Sequence, residues 1–229
     1  MLEIESDSLL EEKFVIDDVL WKPYKVESFA SLDEFLTQNK TVWPVKKFIT
    51  SKGIRARGRV EIVELLPNTL LIITEIISKS INIRGWYRFL VLHNDNLLFV
   101  ESKDESNKIF QEYIVPTFKV VNPTEIRINA MRIRKLAKNG TEAPVKLTLL
   151  VNNQTAGVDG LETLTLTGEN IVRGIQTLKD RQEVDLKAES IGPWIEIETK
   201  SIKLEMSKGL KIKLMKKEAL TLLSSKVLI

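Results

Sequence analysis

The sequence predicts an α+β fold, with an antiparallel β-meander and flanking helices in the N-terminal half and a second small α+β unit in the C-terminal half. Between residues 54 and 101, apolar and polar residues alternate with the period of two that is typical of strands. Before and after this region, apolar residues recur at helical spacing. Strands and helices do not alternate regularly along the chain, which disfavours a doubly wound parallel sheet.

Two helical segments are predicted ahead of the meander. Apolar residues between Leu9 and Val15 have helix-compatible spacing. The sequence Trp21-Lys22-Pro23 is typical of a turn. Further on, Ser31-Leu32-Asp33-Glu34 matches a capping box, in which the serine accepts from first-turn amides and the glutamate reaches back. We therefore expect a short helix that continues to about Gln38.

The meander itself is predicted to contain three or four strands joined by turns. The turn residues Pro67-Asn68-Thr69 and His93-Asn94-Asp95-Asn96 interrupt the alternating pattern. The strands are expected at residues 54–66, 70–78, 81–92 and 97–101. A short helix from Asn107 to Tyr113 is then expected to end before Pro116.

A boundary is predicted at residues 120–123, which gives an acidic helical leader plus sheet at 1–120 and a basic α+β unit at 121–229. A helix is expected from Thr124 to about Asn139, with a hairpin as the alternative because Ile126 and Ile128 also alternate. The elements predicted after it are strands at 145–151 and 161–166, a helix at 168–181, a hairpin of 195–206 with 210–214, and a helix from 216.

The composition limits the classes of protein that the chain can belong to. With 229 residues, 43% of them hydrophobic, the chain is long enough to bury a core without cross-links. The absence of cysteine excludes a disulfide framework, a thiolate zinc site and a cysteine nucleophile. No signal peptide is visible, and the longest apolar stretch, 70–77, is too short to span a membrane. We expect a cytoplasmic protein without membrane contact, and the high Lys, Glu and Ile content resembles that of thermophile proteins.

Charge is distributed unevenly along the chain. Residues 1–44 carry 10 acidic and 4 basic side chains, although the whole chain has a net charge of +3. One hypothesis is that this acidic segment, residues 1–44, shields a basic face of the body until a polyanion competes for it. The alternative is that these are ordinary solvated charges.

The main candidate site is a row of basic and aromatic residues on the meander. Strand alternation places Arg55, Arg57 and Arg59 on one face of their strand. On the third strand, Arg84, Trp86 and Arg88 share a face in the same way. Arginines bind phosphates, and an indole ring stacks on an unpaired base. The alternative is a solvent face, on which these arginines pair with nearby glutamates and Trp86 lies under a helix.

Two further basic runs are weaker candidates. Arg132, Arg134 and Lys135 lie in the helix predicted from Thr124, where they are placed either to follow a phosphate backbone or to form the solvated face of an amphipathic helix. The second run lies on the C-terminal hairpin and just beyond it, where lysines also protect an edge strand from aggregation. This run consists of Lys203, Lys211, Lys213, Lys216 and Lys217.

The sequence motifs that suggest catalysis occur about as often as the composition predicts. Asp95 followed by Glu101-Ser102-Lys103 resembles the Asp and Glu-x-Lys pattern of restriction-like nucleases, and this resemblance implies a metal held by carboxylates and a lysine that assists the attacking water. A similar stretch joins Asp185 with Glu198-Thr199-Lys200. Acid-x-lysine triplets occur four times, which is close to the number that the composition predicts. His93 is the only histidine, so no histidine pair can bind a metal.

These observations favour a non-catalytic protein that binds DNA or RNA through the arginine and tryptophan face, with no cofactor, no metal and no catalytic residue. The alternative is a structural or assembly subunit that contacts itself or another protein, with Trp86 and Trp194 as interface anchors. A metal-dependent nuclease is the third hypothesis.

Overall fold

A computed structural model describes residues 14–32, 42–49, 55–78, 83–126, 145–153, 160–168, 171–180, 194–206, 209–215 and 219–220. The chain divides into two compact units, Met1–Glu125 and Ile126–Ile229. In the described part of the chain, no helix is long and apolar enough to cross a membrane.

The first unit is built on antiparallel strands that pair in the order β3-β4-β5-β6-β7-β1-β9, with β2 and β8 forming a separate pair. Asn68 and Asn96 adopt positive φ angles in the β4–β5 and β6–β7 connections, a conformation that asparagine tolerates well. The strands are β1 (Leu20–Lys25), β2 (Ser28–Phe29), β3 (Val42–Ile49), β4 (Arg55–Leu66), β5 (Thr69–Ser78), β6 (Ile83–Leu92), β7 (Leu97–Glu101), β8 (Val120–Val121) and β9 (Thr124–Glu125).

A continuous helical segment covers one face of this sheet. It consists of α1 (Ser106–Ile109), a π-helical turn (Phe110–Ile114) and α2 (Val115–Phe118). Pro116 lies in the first turn of α2, directly after the π-helical turn, and the helical segment continues beyond the end predicted for it. The aromatic and aliphatic side chains of the segment pack against the inward face of the sheet. Members of this core include Phe110, Tyr113, Ile114, Phe118, Val60, Ile72, Phe89 and Val100.

A glycine allows the helical segment to approach the sheet closely. A Cβ atom at Gly58 of β4 would lie 2.3 Å from Cζ of Tyr113 and 2.5 Å from its hydroxyl oxygen, so the ring occupies the space that any other residue at this position would need. Burial raises the pKa of Tyr113 to about 12.

The second unit contains antiparallel strands in the order β11-β10-β12-β13-β14. Leu147, Ile197, Leu204 and Ile212 are cross-strand neighbours in one row, and all four are buried. Helix α3 packs on β11 through Gly174, where a Cβ atom would lie 2.9 Å from Leu166. The elements are β10 (Lys146–Asn153), β11 (Gly160–Thr167), α3 (Ile171–Asp180), β12 (Trp194–Glu198), β13 (Ile202–Glu205) and β14 (Lys211–Leu214).

The opposite face of this second sheet carries an ion-pair network around Glu196. Its carboxylate oxygens lie 2.8 Å from Nζ of Lys203 and 3.1 Å from Nζ of Lys146, and Lys203 also lies 3.5 Å from Glu205. Burial by itself raises the pKa of Glu196, but the hydrogen bonds and charges of the two lysines outweigh this effect and lower the pKa overall. The hydrogen bond with Glu196 in turn raises the pKa of Lys203.

Replacing Glu196 by glutamine is expected to destabilise the protein by about 1 kcal/mol at neutral pH. Because the folded-state pKa of the carboxyl is lowered, its contribution to stability is present above the ordinary glutamate pKa of 4.5 and is lost as the pH falls through the folded-state pKa. Urea unfolding at several pH values in the acid range measures this difference in stability between the wild type and the variant. Glu205→Gln, which removes only the longer contact, is the control and should have a smaller effect. A Glu196→Gln difference that stays constant through the acid range would contradict the assignment.

The predicted α+β class is wrong, because both units consist mainly of antiparallel strands. The predicted turn at Trp21-Lys22-Pro23 is part of β1, where Pro23 pairs with Phe99. Burial of Trp21 and Tyr24 on the sheet outweighs the local turn preference of proline. The helix predicted from Thr124 is also wrong at its start, since Thr124–Glu125 forms β9 beside β1. Its remainder, from residue 127 on, lies outside the described residues.

Other element predictions are confirmed or refined. The four meander strands are present, with ends within two residues of those expected, and residues 107–113 are helical. The predicted strand 195–206 is divided into β12 and β13, because Thr199 Oγ1 accepts hydrogen bonds from the amides of Ser201 and Ile202 in a turn. Alternation continues through this turn, so the pattern alone does not reveal it. The predicted N-terminal helix lies largely outside the described residues.

Candidate nucleic-acid interface

The strand register places most of the predicted meander residues in two adjacent rows on one face of the sheet. The first row runs across four strands through Lys47, Arg57, Ile77 and Arg84. Arg57 is exposed, and Ile77 is 38% exposed. For Lys47 and Arg84, as for Arg55 two positions before Arg57, the structure describes the strand position alone.

The second row contains Arg59, Glu75 and Trp86 on β4, β5 and β6. Arg59 is exposed, whereas Glu75 and Trp86 are half-buried. Successive row positions on one strand are about 6.6 Å apart, and neighbouring strands are about 4.8 Å apart. We call the surface formed by these two rows and Arg55 the basic face.

The alternative role for the arginines of the basic face is to pair with nearby glutamates. Among the described residues, neither Arg57 nor Arg59 forms an ion pair with a carboxylate. Glu64 instead accepts a hydrogen bond from the Asn68 amide at 3.2 Å. The two described guanidinium groups of the basic face are therefore exposed cations.

Arg88 lies on the same strand face but has a different role. Its Nε and Nη2 atoms donate to Glu101 at 3.1 and 2.6 Å, and its backbone amide donates to the same carboxylate at 3.3 Å. Nη1 donates to the carbonyl oxygen of Val15. The two paired side chains are 13% and 9% exposed. This guanidinium is held inside the protein, so we leave Arg88 out of the basic face.

The ion pair also accounts for the nuclease-like motif around Glu101. Arg88 binds both oxygens of the Glu101 carboxylate, and Nζ of Lys103 donates to the carbonyl oxygen of Trp86 at 3.3 Å. Within the described residues, no three carboxylate or imidazole groups are placed to hold a metal ion. Asp185 lies outside that part of the chain, and the ring of His93 stacks on Phe29 with centroids 6.2 Å apart.

The remaining predicted residues lie in the second unit. Arg132, Arg134 and Lys135 lie outside the described residues. In the C-terminal lysine run, Lys203 is bound to Glu196 and Glu205. Only the strand position of Trp194 is described.

Lys47 is the residue of the basic face that the sequence analysis missed. It lies on β3, whose pairing with β4 is irregular between Trp43 and Lys46. Pro44 and this irregularity interrupt the alternation that would have indicated a strand. The signal that remains is the short run of residues 45–49, in which two lysines are flanked by apolar residues.

No protein-family model matches the chain, and no curated protein matches it significantly.

Proposed function

We propose that this protein binds single-stranded DNA or RNA on the basic face, without a cofactor and without catalysing a reaction. The observation that carries the proposal is the row through Lys47, Arg57 and Arg84, which has three basic residues and no acidic one across neighbouring strands.

Such a row is unfavourable in the absence of a ligand. Like charges directly opposite each other on paired strands, as at Lys47 and Arg57, destabilise a sheet. The polar face of the second unit follows the opposite pattern, with Glu196 between Lys146 and Lys203. A polyanion bound across the row offsets this repulsion. The row spans roughly 14 Å, so it can contact more than one phosphate of a nucleic-acid strand.

The adjacent row favours single strands over duplexes. Trp86 is half-buried on β6, next to Glu75 and two positions from Arg84, and a partly exposed indole stacks on any unpaired base. Ile77 adds an exposed apolar contact between Arg57 and Arg84. Stacking of this kind does not depend on sequence, so we expect little base specificity.

The test is fluorescence anisotropy with labelled single-stranded and duplex DNA and RNA. The wild type is expected to bind the single strands with a dissociation constant that rises steeply between about 50 and 200 mM salt. Arg57→Ala/Arg59→Ala should weaken binding at least about tenfold and reduce the salt slope by about two.

The control is Arg173→Ala, which removes an exposed arginine from α3 in the other unit and should leave binding unchanged. Equal losses in both variants would indicate a general charge effect and would contradict the proposed site. If no nucleic acid binds, the alternative of an assembly subunit that contacts proteins takes precedence.

A further inference from the structure

The N-terminal chain is fixed to the protein beside the basic face. Two consecutive carbonyl groups anchor it. The Val15 carbonyl accepts from Nη1 of Arg88, and the Ile16 carbonyl accepts from Nε1 of Trp21 at 3.3 Å. Both donors are held in place, since Arg88 is bound to Glu101 and Trp21 is 1% exposed. The N-terminal chain is therefore fixed to Arg88, which lies on the same strand as Trp86.

The residues ahead of this anchor have the charge opposite to that of the basic face. Residues 1–13 contain one lysine and five acidic residues, Glu3, Glu5, Asp7, Glu11 and Glu12. We call residues 1–13 the acidic leader. In the described part of the basic face, Arg57 and Arg59 are exposed cations.

The distances allow these charges to meet. Trp86 is two residues from Arg88 on β6, and Arg59 lies two strands further across, so the backbone positions of Arg88 and Arg59 are about 12 Å apart. The Val15 carbonyl is bound at the end of the Arg88 side chain. An extended chain covers about 3.3 to 3.6 Å per residue, so the 13 residues of the leader span roughly 43–47 Å, which is enough to reach the whole face.

From this placement we propose that the acidic leader is an intramolecular competitor that occupies the basic face and that nucleic acid must displace. The inference rests on the proposed function of that face. A tethered competitor acts at a high effective concentration, so a few charges are enough to reduce the apparent affinity. Salt weakens the binding of both the leader and the nucleic acid to the basic face. Nucleic acid carries more charges than the leader, so it displaces the leader most readily at low salt.

The test uses the full-length chain with the leader acids neutralised. The variant carries Glu3→Gln, Glu5→Gln, Asp7→Asn, Glu11→Gln and Glu12→Gln. It should bind a labelled deoxythymidine single strand of about 20 nucleotides roughly tenfold more tightly than the wild type at about 50 mM salt, and the gain should shrink at about 200 mM. Ser6→Ala/Ser8→Ala changes the same segment without changing its charge and should bind like the wild type.

A second comparison separates competition at the face from a general change in net charge. The same leader variant is made in the Arg57→Ala/Arg59→Ala background, where a competitor for the face has little left to block. A gain that largely disappears there supports the proposal, and a gain that persists in full overturns it. Equal affinities of wild type and leader variant, with both binding, overturn the inference and leave the proposed function standing. No binding by any variant overturns both.

Discussion

Replacing Arg88 by methionine is expected to lower the free energy of unfolding by about 3–5 kcal/mol. Methionine keeps the apolar stem but leaves the Glu101 carboxylate, which is 9% exposed, without its bidentate partner. An uncompensated buried charge is among the most costly single defects in a protein. The change also removes the donor to the Val15 carbonyl. Urea unfolding, followed by circular dichroism, measures the loss as a shift of the midpoint at constant slope.

Two variants test whether the loss comes from the ion pair. Arg173→Met removes an exposed arginine from α3 and should change stability by no more than about 0.5 kcal/mol. Arg88→Met/Glu101→Leu replaces the whole pair by apolar side chains and should recover much of the loss, because no buried charge then remains. If Arg88→Met costs no more than the control, the ion pair does not stabilise the sheet.

Replacing Gly58 by alanine is expected to destabilise the protein by about 1–3 kcal/mol, because overpacking a buried contact forces the backbone or a ring to move. The added Cβ would lie 2.3 Å from Cζ of Tyr113. That ring is 2% exposed and belongs to the core between the helical segment and the sheet, so it has little room to shift. The measurement is the urea midpoint of the variant against that of the wild type.

Gly85→Ala is the matched control, since it adds the same methyl group to a neighbouring region of the sheet. There the nearest atom is the Tyr87 hydroxyl at 3.6 Å, an ordinary contact, so we expect a neutral or slightly stabilising effect. Gly58→Ala/Tyr113→Leu, which shortens the opposing side chain, should be less destabilising than the sum of the two single changes. Similar midpoints for Gly58→Ala and Gly85→Ala would contradict the close packing at Gly58.

The two substitutions, Arg88→Met and Gly58→Ala, change contacts that position the basic face. The pair of Arg88 and Glu101 joins β6 to β7 at the edge of that face and fixes the chain that follows the acidic leader. The contact of Gly58 with Tyr113 fixes β4 from the opposite side of the sheet, between the positions of Arg57 and Arg59. Stability and nucleic-acid affinity should therefore be measured on the same variants.

The sequence by itself determined the strands β4 to β7 and, within each strand, which residues share a face, such as Arg57 with Arg59. Alternation is a local property, and turn residues such as Asn68 mark where each of these strands ends. It also indicated the acidic leader, because charge can be counted without a structure.

Only the tertiary structure decided which strands complete the sheet and which arginines remain exposed. β1 contains Pro23 and β3 contains Pro44, so both lack a clear strand pattern, and pairing with β7 and β4 fixes them instead. Arg59 and Arg88 look equivalent in the sequence. They differ because β6 pairs with β7 in a register that brings Glu101 to Arg88, and a choice of partner between strands is not encoded in the pattern of either strand alone.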